Sequence, residues 1–230
     1  MEIKNWLVTL NTLGDFNLLW IFLLENLILM LLSVLVGLII EFDNTTFNKK
    51  DIKWLLWTLV CTTSVTFVGF KLYILNYIHL TFEISIVTML LDLLLITIVM
   101  DFLMFVFHFY IHKMKWFNAI HRHHHLHIDT NVYSLYVLHP LETLGFGMLW
   151  LITIIVFDFN FYSVSFYLIL NLTYGILGHL KSDIFPSFWT TNFMTKWIST
   201  THFHNNHHKN ESRNFGFYFT FWDKIFKTYQ

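Results

Sequence analysis

The sequence predicts an all-α, multi-pass membrane protein of about four to five transmembrane or hairpin helices, with a histidine-rich helical cap on the cytosolic side. Three observations carry that prediction. The 230 residues are 56% hydrophobic and 13% charged, with a mean hydropathy of +0.55; soluble domains carry about 25% charge. Apolar runs of bilayer-spanning length recur along the chain as far as Leu177. Eight of the 14 histidines stand in helical spacing just beyond those runs.

The opening Met-Glu-Ile-Lys-Asn-Trp lacks the form of a secretory signal, so the run from Asn17 to Ile40 is expected to remain as a span. The predicted runs are Leu18–Ile40, then Trp54–Phe70 with scope to continue through Lys71 to Ile78, then Ile84–Phe107. Crossing a bilayer takes about 20 apolar residues, which the first and third supply easily. Leu144–Phe157 and Phe161–Leu177 flank Asp158-Phe159-Asn160 and read as a helical hairpin that only partly crosses. After Gly178 no further span is expected.

Basic residues orient the spans. Lys49, Lys50 and Lys53 follow the first run; Lys113, Lys115 and Arg122 follow the third; Lys181, Lys196, Lys209, Arg213, Lys224 and Lys227 follow the hairpin. One topology puts all three groups, and the histidines among them, in the cytosol. The N-terminus, with Lys4, then lies outside. Within spans, Glu25 and Asp92 suggest helix–helix hydrogen bonds and nothing more.

The composition also excludes. A net charge of −1 gives no sign of a nucleic-acid partner. The single cysteine, Cys61, rules out an internal disulfide and any cysteine-based zinc or iron–sulfur site. A bound metal must be held by nitrogen and oxygen.

The histidine patterns are His108-x-x-x-His112, His121-x-x-His124-His125 and His204-x-x-His207-His208. Residues three and four apart share a helix face, so each set spans an arc of about 100° or less and is expected to aim at one place. Neutral imidazole is the commonest metal ligand. Eight imidazoles exceed one ion's about four to six ligands, so two metals is the economical reading. The second and third patterns repeat one spacing, and chance makes that repeat improbable. His123 and His127 point largely away from their neighbours. Asp101 lies about 20° from His108 around the helix. A carboxylate placed behind a ligand histidine can fix its tautomer. His179 and His139 are lone histidines, which are more often structural than ligating. His179 sits where the hairpin returns to the clusters, and His139 precedes a proline expected to start a helix.

The ordered set His-x-x-x-His, His-x-x-His-His, His139-Pro140-Leu141-Glu142, a lone His179 and a second His-x-x-His-His resembles the fatty acid hydroxylase / sterol desaturase superfamily. The tail is similar too. The family's Asn-Tyr-Gly and Trp-Asp-x-x-Phe-Gly-Thr read here as Asn214-Phe215-Gly216 and Trp222-Asp223-Lys224-Ile225-Phe226-Lys227-Thr228. Lys227 replaces the family's glycine, Leu180 replaces the glycine often found after the lone histidine, and His123 is an additional histidine. On this resemblance residues 1–230 form a single integral-membrane domain, with a catalytic region over 101–229. The resemblance implies a non-haem centre of two iron ions that uses O2. The ligands it implies are His108, His112, His121, His124, His125, His179, His204, His207 and His208.

All-imidazole ligation suits iron, copper or zinc, and oxidation of an unactivated carbon excludes zinc as the working ion. The expected activity is hydroxylation or desaturation of a sterol, fatty acyl or related lipid drawn from the bilayer. Phe215, Phe217, Tyr218, Phe219, Phe221 and Trp222 are expected to anchor the cap at the interface. The chain carries no Gly-rich dinucleotide fingerprint, so a separate electron donor of the cytochrome b5 or ferredoxin type is expected to dock on the basic residues. The host membrane would be the endoplasmic reticulum in a eukaryote or the inner membrane in a bacterium. A metalloprotease would need His-Glu-x-x-His, and no histidine here precedes a glutamate. A metal transporter would set its ligands at mid-membrane. A catalytically inactive lipid- or metal-binding relative is the other alternative.

Overall fold

A computed structural model describes residues 2–41 and 47–230. In chain order the helices are α1 (Glu2–Asn11), α2 (Asp15–Glu41), α3 (Ile52–Ile74), α4 (Ile86–Lys113), α5 (Lys115–His125), α6 (Pro140–Val156), α7 (Phe161–Gly178), α8 (Thr201–Lys209) and α9 (Phe221–Ile225). The strands are β1 (Leu80–Thr81) and β2 (Phe159–Asn160). Among the described residues four segments are long and apolar enough to cross a membrane: Asp15–Glu41, Lys49–Ile74, Ile86–Lys113 and Phe161–Gly178; α7 thus has the length to cross, where the sequence suggested a hairpin that crosses only in part, while α6 is shorter. The protein is an all-α, multi-pass membrane protein.

The spans expose their apolar side chains outward. Phe16, Trp20, Leu24, Leu31 and Leu35 of α2, and Ile86, Val87, Leu90 and Leu94 of α4, face away from the protein. A water-soluble chain could not tolerate so continuous an apolar surface; lipid covers it without cost. The inner faces interlock, α2 on α3 and α7, α3 on α6, and α4 on α6 and α7. The core where these meet holds Ile96, Met100, Leu151, Ile154, Phe159 and Tyr167.

One end of the bundle is fixed by Asn160. Its backbone N–H donates to the Asp92 carboxylate at 2.7 Å, and its side chain donates to the Glu83 carbonyl at 2.7 Å. Its amide oxygen accepts from Tyr162 N–H at 2.9 Å and so caps α7. There β1 pairs in parallel with β2, Leu80 opposite Phe159. Asp92 therefore does more than join helices: it holds the hairpin turn. The second span stops at Ile74, short of the possible extension to Ile78, because Asn76 takes a left-handed conformation (φ 60°) that ends the helix.

The opposite end carries the cap. α4 runs past the predicted Phe107 to Lys113. Counted from Ile86, His108 stands about 33 Å along the axis, just beyond a hydrocarbon core of about 30 Å. Pro140 is the first residue of α6, as its fixed φ favours. α1 was not anticipated; it packs on α2 ahead of the first span.

Candidate metal centre

Four helices deliver histidines to the cap. α4 carries His108 and His112 in its last turns. The chain breaks at Met114, which is extended (φ −91°, ψ 118°), and reverses into α5 with His121, His124 and His125. His179 caps the C-terminus of α7. Thr200 starts α8 by accepting from Phe203 N–H at 3.2 Å, and α8 presents His204, His207 and His208.

The ring nitrogens gather into two groups. His108, His112, His121, His125 and His207 form one; His124, His179, His204 and His208 form the other. Within each, one nitrogen per ring lies within 4.8 Å of all the rest. For imidazole–metal bonds of about 2.1 Å, nitrogens on opposite sides of one ion stand about 4.2 Å apart. Each His-x-x-His-His pattern, expected to converge on one place, is divided. His121 and His125 serve the five-membered group while His124 serves the four. On α8, His204 and His208 serve the four and His207 serves the five. Positions i and i+4 differ by about 40° around a helix, but i+3 and i+4 diverge by about 100°, so each helix lies between the groups and feeds both.

The hydrogen bonds fix the tautomers. Nδ1–H of His108 donates to the Phe215 carbonyl at 2.9 Å, that of His207 to Arg213 at 2.7 Å, that of His208 to His127 at 2.9 Å, and that of His179 to Gly175 at 2.8 Å. Nδ1–H of His121 donates to Glu142 Oε1 at 2.6 Å. A carbonyl can only accept, so the proton sits on Nδ1 and Nε2 keeps its lone pair. Yet the Nε2 atoms of His108 and His121 are 3.2 Å apart, with no proton between them. In three other close pairs only one ring is fixed in this way, and its Nε2 faces the Nε2 of a second ring: His121 faces His125 at 3.0 Å, His179 faces His124 at 3.3 Å, and His208 faces His204 at 3.2 Å. The facing lone pairs of His108 and His121 repel in a buried site unless a cation lies between them. The buried Nε2 of His207 and both ring nitrogens of His112 have no hydrogen-bond partner among the described residues. The residues therefore fit metal ions.

Burial keeps six of the rings, all beyond the spans, in the neutral form that ligates. Burial, then the charge of His121, pushes His125 down to about 2; burial brings His179 to about 4. His124, His204, His207 and His208 also sit well below the ordinary histidine value, through burial first and neighbouring imidazoles second.

Three sequence expectations take a different form. Asp101 does not back His108. Its carboxylate accepts from Tyr218 N–H at 2.7 Å, Phe219 N–H at 3.3 Å and Trp222 Nε1–H at 2.8 Å, so it anchors the tail. His139 lies in neither group. Its Nδ1 accepts from Leu141 N–H at 3.2 Å and caps α6, because a ring preceding Pro140 is held at the helix start. Phe215 and Tyr218 are buried rather than interfacial: Phe215 walls the five-histidine group, its ring 5.4 Å from His112 and 5.5 Å from His207. Glu142 was overlooked as a functional residue. The signal was present, since it closes His139-Pro140-Leu141-Glu142 one helical turn after the cap.

The tail motif has a structural meaning. Asp223 accepts from Phe215 N–H (2.8 Å), Gly216 N–H (2.7 Å) and the Thr228 hydroxyl (2.6 Å). This loop holds the Phe215 carbonyl against His108. A Cβ on Gly216 would come within 2.3 Å of the Phe219 carbonyl oxygen, so only glycine fits there.

Comparison with known proteins adds the family. The fatty acid hydroxylase family model matches residues 93–228. Two proteins named as methylsterol monooxygenases in Dictyostelium discoideum are each 31% identical over 140 residues, covering 59% of this chain and 51% of their own length. A cholesterol 25-hydroxylase-like protein of Danio rerio is 26% identical over 140 residues, 60% of this chain and 55% of its own. The chain thus spans about half the length of the curated relatives it matches. No solved structure matches it. With both histidine groups and the tail inside a match that covers more than half of the sequence, the chain belongs to the fatty acid hydroxylase family.

Proposed function

We propose that this protein is a membrane-bound oxidoreductase that uses O2 and a non-haem di-iron centre to hydroxylate a sterol or a related lipid. The observation that carries the reading is the convergence of nine ring nitrogens into two buried groups, with the Nε2 lone pairs of His108 and His121 facing each other at 3.2 Å. His108, His112, His121, His125 and His207 would hold one iron; His124, His179, His204 and His208 the other. Bound iron would supply O2 activation and oxidation of a C–H bond.

The rest is the work of the chain. Glu142 and four backbone carbonyls hold the Nδ1 protons and orient the rings. Phe215 and the α4–α5 corner exclude water from the five-histidine group. A small cavity between Tyr174, Leu177, Phe185, Ser199, Thr200 and Phe217 reaches His179 and His204, and would have to widen to admit a substrate end. The names of the relatives favour a sterol. The site's position at one end of the spans lets a lipid approach from the bilayer. Exposed Lys113, Lys115, Arg122, Lys209 and Arg213 ring the cap and suit a separate, acidic electron donor of the cytochrome b5 or ferredoxin type on the cytosolic side. Residues 101–229 would be the catalytic region.

The test is metal content of detergent-purified protein expressed with iron, for wild type and for His124→Ala combined with His207→Ala. The expected result is about two irons per chain, lost in the double variant, followed by O2-dependent turnover of a sterol. One metal or none, unaltered by the substitutions, would overturn the reading.

A further inference from the structure

Five of the nine rings have an acceptor on Nδ1, and the choice of acceptor fixes each ring's orientation. Three buried Nδ1 atoms have none: those of His112, His124 and His125. Two of these three share a neighbour. Glu211 follows α8 in the turn after Asn210, and its carboxylate reaches over the five-histidine group. Oε2 is 4.0 Å from His112 Nδ1, and Oε1 is 4.0 Å from His125 Nδ1. The two rings are almost wholly buried, while the Glu211 side chain is 46% exposed.

We propose that Glu211 is a positioning residue for the metal centre, one carboxylate oxygen accepting from His112 Nδ1–H and the other from His125 Nδ1–H. This rests on the di-iron reading above. The present distances are ionic contacts; hydrogen bonds need about 2.7–3.2 Å. A side-chain shift of about 1 Å supplies them. An imidazole whose Nε2 is bound to a cation carries its proton on Nδ1 and donates it more strongly. A buried donor left without an acceptor is costly. One carboxylate thus satisfies two rings on two helices, α4 and α5, much as Glu142 satisfies His121. Together Glu142 and Glu211 would give the five-histidine group two carboxylates behind three of its rings. The four-histidine group has no carboxylate within ion-pair reach of its rings among the described residues. Glu211 would therefore make the two metal sites unequal.

Glu211→Ala and Glu211→Gln separate these roles, with iron(II) or cobalt(II) alone as the probe. Metal affinity is read at each site by chelator competition, alongside the visible spectrum of the cobalt-loaded protein and the melting temperature of the metal-free protein. The expected result for Glu211→Ala is a 10–100-fold weaker affinity at one site with a changed cobalt spectrum. The second site and the metal-free melting temperature should be unaltered. Glu211→Gln, which keeps one acceptor, should fall between. Wild-type affinity at both sites in Glu211→Ala, or equal weakening at both, would overturn this inference while leaving the di-iron reading intact. A wild-type protein that binds neither metal would overturn both.

Discussion

At the scale of single residues, proton positions matter most. His121 is held by Glu142 at 2.6 Å, with both side chains buried. Glu142→Gln keeps the volume but replaces a charge-assisted acceptor with a neutral amide. Metal affinity should fall 10–100-fold in chelator competition, with little change in the fold. A second residue pays for its backbone. Lys227 adopts φ 58°, at the position where the family resemblance leads to an expected glycine. A side chain in that conformation costs roughly 1–2 kcal/mol, partly offset in glycine by the greater freedom of its unfolded chain. Lys227→Gly should therefore stabilise by about 0.5–1 kcal/mol and raise the melting temperature by a few degrees. Asn214, at φ 58°, needs no such exchange, because asparagine tolerates this region and its side chain also ties Phe203 and Gln230.

At the scale of elements, the cap is a set of short helices held to the spans by a few buried carboxylates. Asp101 is the main fastening between α4 and the tail, taking three donors at once. Asp101→Ala would strand two backbone N–H groups and the Trp222 indole in a buried site. The cost should be about 3 kcal/mol or more. The tail should then become sensitive to limited proteolysis after Arg213, and iron should be lost as the Phe215 carbonyl leaves His108. The pattern of helices was legible because long apolar runs and a helical histidine period are local signals. The continuation of α4 past Phe107 was legible too, since the i, i+4 spacing of His108 and His112 places both on one helix face; that the cap buries the His112 ring while Tyr110 stays exposed was not.

At the scale of the whole molecule, six buried neutral imidazoles beyond the spans, those of His124, His125, His179, His204, His207 and His208, make the fold sensitive to acid. The folded values of His125 and His179 lie at about 2 and about 4, against about 6.5 in an unfolded chain. Below pH 6.5 the unfolded state binds protons that the native state refuses, so stability falls as pH falls. Each such histidine contributes a loss of about 1.4 kcal/mol per pH unit, from pH 6.5 down to its folded value. Above pH 6.5 these groups give no pH dependence. The metal-free protein should show a constant melting temperature between pH 7 and 8 and a steep fall from pH 6.5 to 5.5. Iron retention on dialysis should fall in the same direction, since protons compete for Nε2.

The sequence by itself determined the membrane-spanning all-α class, the hairpin, the exclusion of an internal disulfide and of a cysteine-held metal, and eight of the nine histidines that the structure gathers, His179 having entered through the resemblance. Each of these rests on local composition or on spacing within one helix. Only the tertiary structure decided how the nine divide into five and four, because that depends on where α5 and α8 lie between α4 and α7. It also decided that Glu142 orients His121, that Glu211 faces His112 and His125, and that Asp101 serves the tail. Those contacts join residues 21 to 121 positions apart, and no periodicity within a helix specifies which partner a buried carboxylate meets.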